Sequence, residues 1–389
     1  MIERDLTPRL RKLAGQFPAI TLTGPRQSGK STLCRAVFPD HAYANLEAPD
    51  SRSFAQEDPR AFLAQFPDGV ILDEIQRVPE LTSYIQSLID ENPQPGRWVL
   101  TGSQNLALLE SVNQSLAGRT AVLHLLPLAR SEVTRFPRYP ETLDETILTG
   151  GYPRIFDQQL DAGEWLGSYI ATYIERDVRL ITNVGDLVTF QRFVELCAGR
   201  TSQLLNFSQL SNDCGIAQPT AKAWFSVLEA SFIAFRLPAF SSNIRKRLVK
   251  MPKLHFYDVG LACRLLGIRT ADQLRNHPLR GPLFESWVVS EIVKYRLNAG
   301  ETGGLHHYRD QNGVEADLII EHPDRLSLVE AKAAQTVTTS LLDGVRRVRE
   351  VLEQVRSTET LVAYGGDTGQ KRSDLELVPW LNLHTHQWV

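Results

Sequence analysis

Little in this chain points toward export, a membrane span or a broadly basic surface. Its 389 residues include four cysteines, Cys34, Cys197, Cys214 and Cys263, which stand far apart with no C-x-x-C pair and no accompanying histidine pattern. That spacing argues against a zinc site and reads as buried thiols in a reducing compartment. Apolar stretches are short, and none approaches the roughly 18 residues that a bilayer-crossing helix needs. The opening Met1-Ile2-Glu3-Arg4-Asp5 does not resemble a secretory leader, so a cytoplasmic location without a membrane partner is expected. The net charge is −3, so contact with nucleic acid has to come from a local basic patch. Internal repeats and low-complexity tracts are also missing. What remains is a 42% hydrophobic, 22% charged chain, too long for one ordinary core and suited to two or three domains.

The most specific stretch is Gly24-Pro25-Arg26-Gln27-Ser28-Gly29-Lys30-Ser31-Thr32, which fits the phosphate-loop pattern G-x-x-x-x-G-K-S/T without departure. It follows the apolar run Ala19-Ile20-Thr21-Leu22-Thr23 and leads into a helical stretch through Phe38. In such a loop the glycines let backbone N–H groups curl around the β- and γ-phosphates of ATP. Lys30 neutralises charge there, Ser31 ligates Mg²⁺, and the helix points its positive end at the nucleotide.

A second element supports the first. Val70-Ile71-Leu72-Asp73-Glu74 is an apolar strand ending in two acids, with Asp73 expected on the Mg²⁺ side and Glu74 as the base that polarises the attacking water. A solvated acidic turn is the plainer alternative. The next core strand, Trp98 to Gly102, ends in Ser103-Gln104-Asn105, where Ser103 or Gln104 is placed to sense the γ-phosphate or simply to cap a helix over 106–115. Arg119 follows that helix and suits an arginine finger toward a neighbour's nucleotide, or an ordinary surface position.

Strands alternating with helices up to about Thr134 predict a parallel α/β sheet covered on both faces. The Pro- and charge-rich Phe136-Pro137-Arg138-Tyr139-Pro140-Glu141 marks a boundary, followed by Gly150-Gly151-Tyr152-Pro153-Arg154 and a helix through 170–177. Three helices are expected over 186–198, Phe207 to Cys214 and Gln218 to Ala230. Strands follow at Phe232 to Leu237 and Lys253 to Tyr257, a winged-helix pattern. Between them Asn243 to Lys253 holds five basic side chains in eleven residues, the densest positive charge in the chain. Arg245, Lys246, Arg247 and Lys250 are the expected DNA contacts, although such a module also serves protein contacts and a basic run also suits a solvated hairpin tip. The expected domains are 1–134, 135–260 and 261–389.

After residue 280 a second chemical pattern emerges. Glu285 sits in an apolar helix, His306 to Asp310 and Glu315 to Glu321 read as a strand pair turning at Gln311-Asn312-Gly313, and Leu326 to Ala333 is another strand. Glu330 and Lys332, two apart, share one face of it. An acid, a separated Asp and an E-x-K pair are what metal-dependent phosphodiester cleavage needs, with Asp317 and Glu330 on Mg²⁺ and Lys332 on the attacking water. A salt-bridged sheet edge would look the same.

On these residues the N-terminal third, with Gly24 to Thr32, Val70 to Glu74 and Thr101 to Gln104, resembles an AAA+ ATPase of the branch known in bacteria and archaea only as ATP-binding proteins. Gly150 to Arg154, Lys253 to Ala262 and Phe284-Glu285 resemble the C-terminal domain of unknown function that accompanies it. Glu285, Asp317, Glu330 and Lys332 are similar to the PD-(D/E)xK, restriction-endonuclease-like α/β fold, whose archaeal Holliday junction resolvases share the early helical Glu. Ala316 stands where that motif has its proline. The resemblance implies a ring, a hexamer, with Arg119 acting across the subunit interface. The resulting expectation is an ATP-hydrolysing protein that processes branched or broken DNA and cuts it with the nuclease-like domain. Its rivals are a signalling or defence switch with an inactive nuclease-like platform, and a protein-remodelling ATPase.

Overall fold

In the computed structural model the described residues are 2–103, 115–172, 187–240 and 249–389. They form two compact units, one running through Leu128 with the short segments Ala230–Phe232 and Leu297–Gly300, the other comprising the rest.

The first unit is built on five parallel strands, β1 (Ala19–Thr23), β2 (Ala42–Asn45), β3 (Val70–Asp73), β4 (Trp98–Gly102) and β5 (Thr120–His124), in the order β2-β3-β4-β1-β5. The four central or apolar strands were expected; β2 was not, because the half-polar Ala42-Tyr43-Ala44-Asn45 lies at the sheet edge with two of its residues exposed. Strand alternation divides the core into two layers. Val70, Leu72, Trp98 and Leu100 join Ile85 and Ile89 of the helix Leu81–Glu91 on one face. Ile20, Leu22, Ile71 and Val99 join Leu10 of the helix Thr7–Ala14 and Leu33 of the helix Lys30–Val37 on the other. A sheet with both faces covered explains why these strands read as unbroken apolar runs.

In the second unit the helices Leu187–Ala198, Phe207–Cys214 and Gln218–Ala230 precede an antiparallel hairpin of β6 (Ala234–Leu237) and β7 (Lys253–Phe256). The expected helix over 170–177 lies largely outside the described residues. A long helix, Arg280–Ala299, then leads into a six-stranded sheet of β8 (Leu305–Arg309), β9 (Glu315–Glu321), β10 (Leu326–Lys332), β11 (Thr358–Tyr364), β12 (Gln370–Lys371) and β13 (Glu376–Pro379), in the order β12-β13-β11-β10-β9-β8. Strands β8 to β10 are antiparallel neighbours, whereas β10 and β11 pair in parallel. Parallel neighbours need a crossover, and the helix Thr339–Leu352 supplies it, burying Leu342, Val345, Val348 and Leu352 against the sheet.

The Gly150-Gly151 pair has a specific structural role. Gly150 adopts φ 68°, and a Cβ there would run into the Asp258 carboxylate, so only glycine fits. Asp258 accepts from Gly151 N at 2.7 Å and from Leu261 N at 2.9 Å, the second bond capping the helix Val259–Leu265. Asp258→Ala would orphan both donors and remove the cap. It is expected to cost about 2–3 kcal/mol, read as a lowered urea midpoint of the transition assigned to the second unit.

Candidate functional site

The phosphate loop leaves the carboxyl end of β1. Gly24 sits at φ 152° and Gly29 at φ 92°, and a Cβ on Gly24 would collide with the carbonyl oxygen of Leu125. Gly29 then opens the helix Lys30–Val37, so first-turn N–H groups border the loop. Lys30 is only 6% exposed. Its ammonium folds back on the loop, donating to the carbonyl oxygens of Gly24 at 2.9 Å and Pro25 at 2.8 Å. Burial dominates its pKa and pulls it down to about 8, against the opposing pull of Glu74 and Asp73.

Asp73, at the end of β3, accepts three hydroxyl groups. Ser31 Oγ donates to Oδ2 at 2.7 Å, Tyr43 OH donates to the same oxygen at 2.6 Å, and Thr101 Oγ1 donates to Oδ1. Ser31 and Asp73 are hard oxygen donors already in contact, which suits Mg²⁺ arriving with a triphosphate. They would hold it, and it would supply neutralisation of phosphate charge. Burial, then the bond to Asp73, pushes the Tyr43 phenol above its ordinary range. Sequence reasoning missed Tyr43, which sits on the unrecognised strand β2, and Thr101, which read only as part of a core strand.

Glu74 occupies the left-handed region at φ 57°, ψ 44°, a conformation that costs a non-glycine residue about 1–3 kcal/mol and that clusters at functional sites. Its Oε2 accepts from Ser103 Oγ at 3.1 Å and from the Gln76 side-chain amide. Ser103, buried at the end of β4, therefore contacts the candidate base. Gln76 was the other residue missed, and its only sequence signal was its place two positions after Glu74. Gln104 lies outside the described residues. Arg119 does not join this cluster. It precedes β5 at the amino-terminal end of the sheet, opposite the phosphate loop, and pairs with Asp90 at 2.6 and 2.9 Å.

In the second unit the four expected residues do converge, with one addition. Lys253, 3% exposed at the start of β7, donates to Glu285 Oε1 at 2.8 Å and to Asp317 Oδ1 at 3.2 Å. Asp317 Oδ2 accepts from Ala331 N at 2.9 Å. Lys332 Nζ donates to Glu330 Oε1 at 2.6 Å, while Glu330 Oε2 is buried without a hydrogen-bond partner among the described residues. Burial, reinforced by Asp317 and opposed by Lys253, raises Glu285 well above the carboxylate range. Burial, again reinforced by Asp317, pushes Glu330 up to about 8. For both lysines burial works toward the neutral form and is outweighed by the acids, so each is held above its ordinary value.

This cluster fits Mg²⁺ poorly. The Lys253 ammonium already lies against Glu285 and Asp317, and among the described residues no group of three His, Cys, Asp or Glu side chains is arranged to hold a metal. The expectation of Asp317 and Glu330 as a metal pair left out the ammonium that comes in from β7. Of the expected DNA contacts, Lys250 is exposed, and Arg245, Lys246 and Arg247 lie outside the described residues.

Comparison with known proteins gives three domain matches along the chain. Residues 16–134 match the model of an AAA domain, residues 140–272 a domain of unknown function (DUF8612), and residues 280–383 another (DUF4143). Uncharacterized proteins of Mycobacterium tuberculosis and Mycobacterium bovis are each 29% identical over 369 residues, covering 94% of this chain and 80% of theirs. Among solved structures, a Walker-type ATPase of Pyrococcus abyssi overlays with a TM-score of 0.42 at 15% identity, over 68% of this chain and 96% of its own. The RuvB Holliday junction branch migration motor of Thermotoga maritima gives 0.31 at 15% identity, over 61% and 90%. The domain match and the loop geometry agree: the first unit carries an AAA+ P-loop domain of ATPase type.

The acidity of Lys30 sets a pH dependence. In the free protein it loses its proton near pH 8, whereas a bound triphosphate needs the ammonium, so binding takes up a proton above that pH. ATP affinity is expected to be level below about pH 7.5 and to fall by up to about tenfold per unit above about pH 8. Calorimetry in buffers of different ionisation heat measures the uptake, and Lys30→Met removes it. Tyr43→Phe is expected to weaken Mg²⁺-dependent ATP binding about tenfold or more, since one hydrogen bond to a charged group contributes about 1.5–3 kcal/mol, with Mg²⁺-free binding unchanged.

Proposed function

We propose that the chain hydrolyses ATP and couples hydrolysis to DNA, with the C-terminal sheet serving as a platform and not as a cutter. The observation that carries the first half is the meeting of Lys30, Ser31, Asp73, Glu74 and Ser103 at the carboxyl ends of three adjacent parallel strands. Lys30 leaves its loop carbonyls for the phosphates, Ser31 and Asp73 face the Mg²⁺ side, and Glu74, aimed by Ser103 and Gln76, draws the proton from the attacking water. Ser103 on this reading positions the base and responds to the γ-phosphate through it. Arg119 acts in a ring neighbour's site, which requires its pair with Asp90 to open.

The DNA half is supported by the three helices and hairpin that flank the basic stretch Arg245 to Lys250, the arrangement a winged-helix module uses on phosphates. The helix, three antiparallel strands, crossover helix and parallel strand of the C-terminal sheet support a nuclease-like fold. A second reading, a nucleotide-dependent switch whose C-terminal fold only binds, is favoured by the contacts of Lys253 with Glu285 and Asp317.

Glu74→Gln is expected to retain ATP and lose about 10²–10⁴ in turnover, and Ser103→Ala about tenfold, the loss of one bond to a charged acceptor. ATP turnover with single-stranded, duplex and four-way junction DNA tests the coupling. Stimulation by at least one form is expected; none by any of the three leaves the switch reading.

A further inference from the structure

Lys253 was the unforeseen member of the C-terminal cluster, and its surroundings are built to keep it there. β7 pairs with β6 on one side, Lys253 opposite Leu237. On the other, Lys253 bridges Leu204, with Leu205 N donating to Pro252 O at 2.8 Å and Leu254 N to Gln203 O at 2.9 Å. The residue therefore enters the cluster from a strand fixed on both edges. Its ammonium contacts one carboxylate from the helix Arg280–Ala299 and one from β9, the two elements that the sequence pattern assigns to a nuclease centre. Three acids (Glu285, Asp317, Glu330) meet two lysines (Lys253, Lys332) before anything binds.

We propose that Lys253 is the resident cation of this cluster, taking the place of a divalent metal beside Asp317, so that the domain is a metal-free binding module. The inference rests on the nuclease-like reading of the sheet and specifies what became of its metal. A divalent ion needs its carboxylates turned toward it, and the Lys253 ammonium already lies against both Glu285 and Asp317. The lysine performs the mechanical part of a metal's work, drawing the helix and the strand together, without lowering the pKa of a bound water. Because the ammonium belongs to the chain, the clamp persists in the presence of chelators.

The test counts Mn²⁺ by electron paramagnetic resonance on the full chain without nucleotide, so it does not depend on the ATPase reading; likewise, failure of DNA to stimulate ATP turnover leaves it intact. Wild type and Asp317→Asn are expected to bind Mn²⁺ identically, and neither to nick DNA with Mg²⁺ or Mn²⁺. Lys253→Ala is expected to gain one Mn²⁺ that the Lys253→Ala/Asp317→Asn double variant loses, and its melting temperature, not that of wild type, to rise with Mn²⁺. Mn²⁺ binding or nicking in wild type that Asp317→Asn abolishes overturns the proposal. So does a folded Lys253→Ala chain that gains no Asp317-dependent ion. Where Lys253→Ala does not fold, the comparison of wild type with Asp317→Asn decides alone.

Discussion

Parallel register among β3, β4 and β1 is the constraint on which the nucleotide site depends. With β4 between the other two, Thr23 stands beside Gly102 and Leu72 beside Leu100. The phosphate loop, the Asp73-Glu74 pair and Ser103 therefore emerge at one level. The hydroxyl of Thr101 reaches Asp73 because the two residues are abreast on neighbouring strands. A slip of one residue along β4 would turn Thr101 and Ser103 to the opposite faces and dismantle the support for both acids. The two apolar layers that cover the sheet thus act on catalysis through register, even though none of their side chains touches a phosphate.

The second unit solves a different problem, the burial of five charged side chains in one region of an apolar fold. Burial works against the charge of Glu285, Glu330, Lys253 and Lys332, and the solution is mutual: each of the three acids is met through at least one oxygen by an ammonium. Removing one partner from such a group leaves an uncompensated charge, a loss of about 3–5 kcal/mol in buried pairs generally. The cluster is consequently self-consistent without further ligands. Its chemistry differs from that of the nucleotide site, where Lys30 is held by neutral carbonyls and its hydrogen bonds are open to exchange.

How much of this was legible in the sequence varied with the range of the interaction. The phosphate loop and the strand Val70 to Asp73 were readable because backbone conformation, metal ligation and phosphate charge each demand a residue type at a fixed spacing. The helices Phe207–Cys214 and Gln218–Ala230 were readable from local periodicity and the turn between them. Tyr43 was not, because its edge strand is half polar and its partner lies thirty residues away. β11 to β13 escaped for want of any chemical residue to draw attention to them. Lys253 was the instructive case: counted among neighbouring basic residues it looked like part of a phosphate-binding surface, but it opens β7, a strand buried along its whole length, and meets acids 32 and 64 residues further on. Charge density along a chain does not reveal which charges point the same way.

The lysine of the phosphate loop is held by the loop's own carbonyls, and this bears on which anions can draw it away. Any ligand must draw the ammonium away from two carbonyl oxygens 2.8 and 2.9 Å distant before it gains an ion pair. Chloride offers a single contact in return, whereas a nucleoside triphosphate offers several oxygens to the lysine and the helix terminus together. The lysine's own carbonyl contacts therefore set a threshold that a ligand with several phosphate oxygens crosses more readily than a single monatomic anion does.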